Sequence, residues 1–260
     1  MRPGPANAGI GPGGPACRPL PHSRSPMPAP ILSPSPSLPA MNPVRAVVFD
    51  AYGTLFDVHS AVQRHAAALG PQAASLSETW RQKQLEYSWV LSLIGRYAPF
   101  RRLTEQALDT ALALHPGVDP ALRPALLDAY RTLDAYPEVP ATLEALRARG
   151  LRTAILSNGD GPMLDEAVRA ARLGPLLDAV LSVDPAGIFK TSPRAYALAT
   201  AHLGLAAPEI LFVSSNRWDV AGACAFGLAP VWVNRAGRPD EYADLPPVRV
   251  IDRLDALLSG

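Results

Sequence analysis

From residue 46 onward, short apolar runs alternate with longer segments in which apolar residues recur every three or four positions. The runs 46–50, 152–156, 179–183, 210–214 and 230–233 are rich in β-branched, aromatic and aliphatic residues and end in glycine or polar turns, the pattern of buried strands. Segments 139–149, 161–172, 193–203 and 220–226 between them carry helical spacing. This alternation predicts an α/β fold, a Rossmann-like parallel sheet with helices on both faces. One interval breaks it. Between the first two strands the pattern is helical throughout, at 62–69, 75–94, 100–114 and 120–133. So long an interval cannot be a single crossover helix and reads as an inserted helical cap. The predicted division is therefore a core of 43–58 and 137–260 with a cap of 59–136.

Composition changes the picture at the front of the chain. Residues 1–40 hold 12 of the 29 prolines, many glycines and serines, and no acid. Such a segment buries too little apolar surface to offset its chain entropy, so 1–42 reads as a disordered leader. It lacks the apolar core of a secretory signal. Met41, directly before the first strand, reads as the natural start, with the leader as a misassigned extension in the gene's reading frame. The remaining chain is ample for one α/β domain with an accessory unit: 260 residues in all, 48% hydrophobic. A net charge of +1 leaves no electrostatic footprint for nucleic acid or an anionic membrane. No apolar run reaches the roughly 20 residues of a membrane helix. Two cysteines, Cys17 and Cys224, make no disulfide framework, which points to a reduced, cytoplasmic setting.

Polar residues gather at the ends of the predicted strands. Asp50 closes the first and opens into Ala51-Tyr52-Gly53-Thr54-Leu55-Phe56-Asp57. A carboxylate there sits where open α/β sheets place their ligand crevice, and apolar neighbours would leave it partly dehydrated and nucleophilic. A helix cap is the plainer reading. The second strand leads into Ser157-Asn158-Gly159-Asp160, either an anion site at a helix start or an ordinary cap. Lys190 and Lys83 are the only lysines, arginine supplying the remaining positive charge. Lys190 is a solvated loop residue or a compact ammonium kept for a purpose. The fourth strand runs into Ser214-Ser215-Asn216-Arg217-Trp218-Asp219.

Asp50-Ala51-Tyr52-Gly53-Thr54 resembles the nucleophile motif of the haloacid dehalogenase superfamily, whose common form is Asp-x-Asp-Gly-Thr. Tyr52 replaces the second acid, which in the family's phosphatases serves as general acid and helps organise magnesium. The pattern is similar to the L-2-haloacid dehalogenase (type II) branch, which needs no metal. Four further motifs agree: Ser157-Asn158-Gly159; Lys190 with Tyr196; Ser214 through Asp219; and, in the predicted cap, Trp80-Arg81-Gln82-Lys83-Gln84-Leu85-Glu86-Tyr87. Where the phosphatases carry two metal-binding acids, only Asp219 remains, beside Ser214 and Asn216.

The resemblance implies a hydrolytic dehalogenase for short 2-haloalkanoic acids, with no cofactor and no metal. Asp50 attacks C2 and forms an ester; Arg81 and Asn158 receive the halide. Thr54 and Ser157 hold the substrate carboxylate. Lys190 orients Asp50, while Asp219, held by Ser214, Asn216 and Lys190, activates the water that cleaves the ester. One inversion turns an (S)-2-haloacid into an (R)-2-hydroxyacid. Tyr52, Gln82, Leu85, Phe100 and Trp218 line the substrate pocket, and Tyr196 completes the catalytic set. A homodimer is expected from the family. The alternatives are a magnesium-dependent phosphatase of the same superfamily and a non-catalytic binding protein on this scaffold.

Overall fold

The computed structural model describes Met1 and residues 44–259. The proline-rich leader, its expected disorder, the proposed start at Met41 and Cys17 all lie outside the described residues. Six strands form one parallel sheet: β1 (Ala46–Phe49), β2 (Arg152–Ser157), β3 (Ala179–Ser182), β4 (Ile210–Ser214), β5 (Ala229–Val233) and β6 (Arg249–Ile251). Their order is β3-β2-β1-β4-β5-β6. Val48 of β1 lies opposite Ala154 of β2 and Phe212 of β4. Every residue of β1 is buried, which is why the sequence runs Ala-Val-Val-Phe without polar alternation. The sheet is built outward in opposite directions from β1, so the switch point lies beside it, and a ligand crevice opens at its carboxyl end. Asp50 is the next residue.

Five strands coincide with the apolar runs in the sequence; β6 was not anticipated. It is a three-residue edge strand just after Pro246-Pro247, only one of its residues is buried, and neither length nor alternation marks it.

Five helices separate β1 from the return to the sheet: α1 (Ser60–Gln63), α2 (Ala66–Leu69), α3 (Ala73–Leu93), α4 (Phe100–Leu114) and α5 (Arg123–Arg131). The predicted helix 62–69 is broken, because His65 leaves helical geometry at φ −111° and ψ 12°. The predicted 120–133 is shortened: Asp119 caps a single 3-10 turn, and α5 then starts at Arg123 with Pro124 in its first turn, where a missing N–H costs nothing. The two crossings between sheet and helices run side by side. Asp57 N–H donates to Asp134 O (2.8 Å) and Tyr136 N–H to Leu55 O (3.0 Å). Arg235, just past β5, braces them, donating to Glu138 and to Thr54 O (3.2 Å) while lying 3.8 Å over the Tyr136 ring.

Four helices complete the crossovers: α6 (Val139–Ala148), α7 (Gly161–Ala170), α8 (Pro193–Leu203) and α9 (Arg217–Phe226). Asp160 caps α7 through Met163 N–H (3.1 Å), and Ser192 precedes Pro193 at the start of α8. Helix α9 begins three residues before the predicted 220, which puts Trp218 and Asp219 in its first turn. Among the described residues, no helix is long and apolar enough to cross a membrane.

Leu143 of α6 is fully buried in the core. Leu143→Ala should cost about 2–5 kcal/mol, the range for large-to-small core substitutions. Urea denaturation reads it directly, and an unchanged midpoint would show that the sheet does not depend on α6.

Candidate active site

Asp50 is held in the sheet by its own backbone, whose N–H donates to Val213 O (2.9 Å). Gly53 then turns the chain at φ +94°, a conformation L side chains rarely adopt; an added Cβ would also come within 3.2 Å of Ser215 Oγ. That turn folds Thr54 back, so its Oγ1 donates to Asp50 Oδ2 (3.1 Å). Ser215, from the end of β4, fastens the loop: its N–H donates to Thr54 Oγ1 (2.8 Å) and its hydroxyl to Gly53 O (2.7 Å).

Both oxygens of Asp50 are met by donors. Lys190 Nζ lies 3.1 Å from Oδ1, and Asn216 Nδ2 donates to Oδ2 (2.8 Å) beside Thr54. The same ammonium lies 2.9 Å from Asp219 Oδ2, while Tyr196 OH donates to Asp219 Oδ1 (2.7 Å). Lys190 and Asp219 are completely enclosed and Asp50 nearly so. Burial pushes the Asp219 carboxyl up to about 6 against the pull of the Lys190 ammonium. Burial also works against the ammonium, but Asp219 and Asp50 outweigh it, and Lys190 stays charged with its pKa above the ordinary lysine range. Burial and the neighbouring Asp219 likewise raise Tyr196, which remains a neutral donor.

Two assignments change here. Thr54 is fully buried and spends its proton on Asp50 rather than facing a substrate. Asp219 is held by Lys190 and Tyr196, not by Ser214 and Asn216. Because α9 starts early, Asp219 faces α8; Asn216 Nδ2 turns to Asp50, and the buried Ser214 hydroxyl accepts from Asn216 N–H (3.1 Å).

At the end of β2, Ser157 Oγ accepts from Gly159 N–H (3.1 Å), and Asn158 Oδ1 accepts from Lys190 N–H (2.9 Å). Gly159 has a steric reason as well: a Cβ there would meet the Tyr52 ring at 2.8 Å. Arg81, half-buried on α3, donates to Tyr52 O (3.2 Å). Leu85 follows one helical turn later, partly buried, whereas Gln82 lies exposed on the same helix. Tyr52 stacks against Phe100 (6.5 Å, 27°). Trp218 does not join that group. Its ring meets Trp89 edge-on (5.6 Å, 83°) beside a groove of about 620 Å³.

Sequence reasoning missed Tyr130, Gln84 and Thr104. Tyr130 of α5 stacks on Tyr52 at 5.8 Å and 13°, nearly parallel. The buried Gln84 bonds both Tyr130 and Thr104. A large amide on the buried face of α3 was the one available signal, since Gln84 shares that face with Leu76, Trp80 and Ser88. Among the described residues, no three His, Cys, Asp or Glu side chains cluster as metal ligands.

Comparison with known proteins places this geometry. The family model of haloacid dehalogenase-like hydrolases matches residues 44–227. The chain is 49% identical over 218 residues to (S)-2-haloacid dehalogenase 1 of Pseudomonas sp. (strain CBS-3), covering 84% of this chain and 96% of that one. A solved dehalogenase with an intermediate complex superposes with a TM-score of 0.82 at 45% identity, covering 84% of this chain and 97% of that one. The L-2-haloacid dehalogenase from Xanthobacter autotrophicus, solved with chloropropionic acid covalently bound, gives 0.76 at 37% identity, covering 82% and 96%.

Lys190→Met would leave two buried carboxylates facing each other without their cation. Removing one partner of a buried pair costs about 3–5 kcal/mol. The loss has a sign in pH: without the ammonium the Asp219 carboxyl rises further above about 6, the folded state holds the proton more tightly than the unfolded chain, and stability falls as pH rises through that range. The variant's melting temperature should therefore be lower at pH 8 than at pH 5; an equal or reversed difference would sink this account.

Proposed function

This chain belongs to the haloacid dehalogenase-like hydrolases, and we propose that it converts short (S)-2-haloacids to (R)-2-hydroxyacids plus halide, without a metal, through an ester on Asp50. One observation carries the reading: both Asp50 oxygens are already fixed by N–H and O–H donors, from Lys190, Thr54 and Asn216. Such a carboxylate is held in place, ready to attack carbon. A hard cation seeking oxygen ligands would have to displace those donors, and at position 52 it would find a phenol held neutral by burial.

In the first step an Asp50 oxygen forms a bond to C2 as the carbon–halogen bond breaks, and the halide leaves with its electron pair. Arg81 and the Asn158 Nδ2, whose partner oxygen is occupied by Lys190 N–H, receive the developing charge. Ser157 accepts from Gly159 and keeps its own proton for the substrate carboxylate, which aligns C2 for in-line attack. Tyr52 and Phe100 wall the pocket. Thr54 and Lys190 position the nucleophile. In the second step water adds to the Asp50 carbonyl carbon and gives one proton to Asp219; the bond from that carbon to the C2 oxygen then breaks, the departing alkoxide takes the proton from Asp219, and Asp50 is restored as a carboxylate that keeps the water oxygen and releases its remaining proton to solvent. C2 is inverted once. The relatives named above carry this activity in their names, and the covalently bound chloropropionic acid of the Xanthobacter autotrophicus enzyme fits an ester intermediate.

Halide release from separate L and D forms of 2-chloropropionate, with EDTA present, tests the reading. Release from the L form alone is expected, and Asp50→Asn should abolish it. Phosphate-ester cleavage appearing only with magnesium would overturn it in favour of a phosphatase.

The second step should carry its own pH signature. Asp219 accepts a proton only when ionised. In the free enzyme burial pushes its carboxyl up to about 6 and the Asp50 charge adds to that push; the ester removes the Asp50 charge, so the group titrates lower in the intermediate. Hydrolysis of the accumulated ester, followed in a single turnover, should slow about tenfold for each pH unit once the pH falls below that lowered value. A rate that stays flat in acid for as long as the protein remains folded would exclude Asp219 as the base.

A further inference from the structure

We propose that Asp160 is a specificity-determining positioning residue: its one buried carboxylate ties the inserted helix α4 to the crossover helix α7, and so sets the spacing of the Tyr52 and Phe100 walls. The inference rests on the dehalogenase reading above, in which those two rings line the substrate pocket.

Asp160 ends the turn Ser157-Asn158-Gly159-Asp160, and neither catalytic step uses it. Its side chain is buried, and each oxygen serves a different helix start. Oδ1 accepts from Met163 N–H in the first turn of α7 (3.1 Å), and Oδ2 from Arg101 N–H at the start of α4 (2.7 Å). Such N–H groups have no partner within their own helices, and a negative charge suits both positive helix ends. Capping α7 alone would take one acceptor, which a serine supplies as well. Helix α4 has none of its own, because the residue before it is Pro99. The second carboxylate oxygen of Asp160 fills that place from across the fold.

The tie closes a ring of contacts. Arg101 follows Phe100 in the chain, and Asp160 follows Gly159. Tyr52 lies between Phe100 and Gly159: it stacks on the first (6.5 Å, 27°), and a Cβ on the second would meet its ring at 2.8 Å. With Arg101 and Asp160 bonded, Tyr52 is gripped from both sides. A second acid repeats the pattern. Asp184, past the end of β3, accepts from Gly161 N–H of α7 (3.1 Å) through one oxygen and from the Tyr97 phenol, between α3 and α4, through the other. Burial and Asp184 push that phenol above its ordinary range, so it stays a donor. The Tyr97 ring packs on Phe189 (4.9 Å), which meets Phe100 edge-on (5.9 Å, 68°). Phe100 is thus fixed on both flanks and does not recede to admit a longer chain. Glu166 of α7 also joins the two parts, through Arg101 (3.2 Å) and Arg131 (2.9 Å), but it holds side-chain tips and leaves the backbone beside Phe100 alone.

The test is a ratio of substrates. Asp160→Ser keeps a cap for α7 but has one oxygen and cannot serve both starts. Its kcat/KM for L-2-chlorobutyrate relative to L-2-chloropropionate should rise about tenfold, the scale on which an apolar pocket discriminates one methylene. On L-2-chloropropionate the loss should fall on KM, with kcat within about twofold, since Asp50 and its partners are untouched. Tyr97→Phe, which keeps the ring and drops the bond to Asp184, should move the ratio the same way by about threefold. Glu166→Gln should lower the melting temperature without moving it. An unchanged ratio in Asp160→Ser, or an equal shift in Glu166→Gln, would overturn this inference while leaving the dehalogenase reading intact. No halide release from the unaltered protein would overturn both.

Discussion

Two carboxylates and one ammonium share a space that water scarcely reaches, and the arrangement of the polypeptide around them follows from that. Lys190 Nζ lies 3.1 Å from Asp50 and 2.9 Å from Asp219. Taking three charges out of water is costly unless each is paired and further hydrogen-bonded. Each is: Asp50 by Thr54 and Asn216, Asp219 by Tyr196, Lys190 by both acids. The partners come from the end of β1, the loop after β4, the first turn of α9, the approach to α8 and α8 itself. The crevice beside the central strand of a parallel sheet gathers all these chain segments at one point. The cation is a lysine for a geometric reason. A single Nζ on a thin stem can approach both acids at once, whereas a planar guanidinium would wedge them apart.

Tyr52 has a comparable place in the second half of the molecule. In phosphatases of the superfamily that position is the second acid; here it is a ring. The ring is stacked between Phe100 of α4 and Tyr130 of α5, and its carbonyl holds Arg81 of α3. Helices α3, α4 and α5 thus meet around a residue at which the chain departs from the phosphatase pattern. The substitution alters the chemistry of the loop and also supplies the surface on which the inserted helices rest. Gly159 lies against the ring's edge because nothing larger fits.

What could be read from the sequence divides along physical lines. Five strands and the crossover helices carry their own apolar period, and they are found where that period puts them. Asp50, Thr54, Ser157, Asn158, Lys190, Tyr196, Ser214, Asn216 and Asp219 lie at strand ends or helix starts, where polar residues interrupt apolar runs, and the structure gathers them at one end of the sheet. Contacts made across the fold leave no such mark. That Tyr196, rather than Ser214 or Asn216, holds Asp219 depends on where α9 begins, a matter of three residues. Trp218 shares the motif of Asp219, yet its place in the helical turn directs it to Trp89. The chain of Thr104, Gln84 and Tyr130 spans three helices, and each member alone reads as an ordinary helical residue. The edge strand β6 exists because β5 offers it an open row of backbone groups, not because Arg-Val-Ile insists on being extended.

The scarcity of lysine has a practical side. Reagents that acylate amines normally decorate a protein at many points and damage some of them. This chain has two lysines, and one is sealed between carboxylates. The other, Lys83, is partly accessible on α3 and bound to Glu86 at 2.7 Å. Apart from the α-amino end, amine-directed coupling to a dye or a solid support would therefore fall on Lys83, at a known point on α3, and leave the buried ammonium untouched.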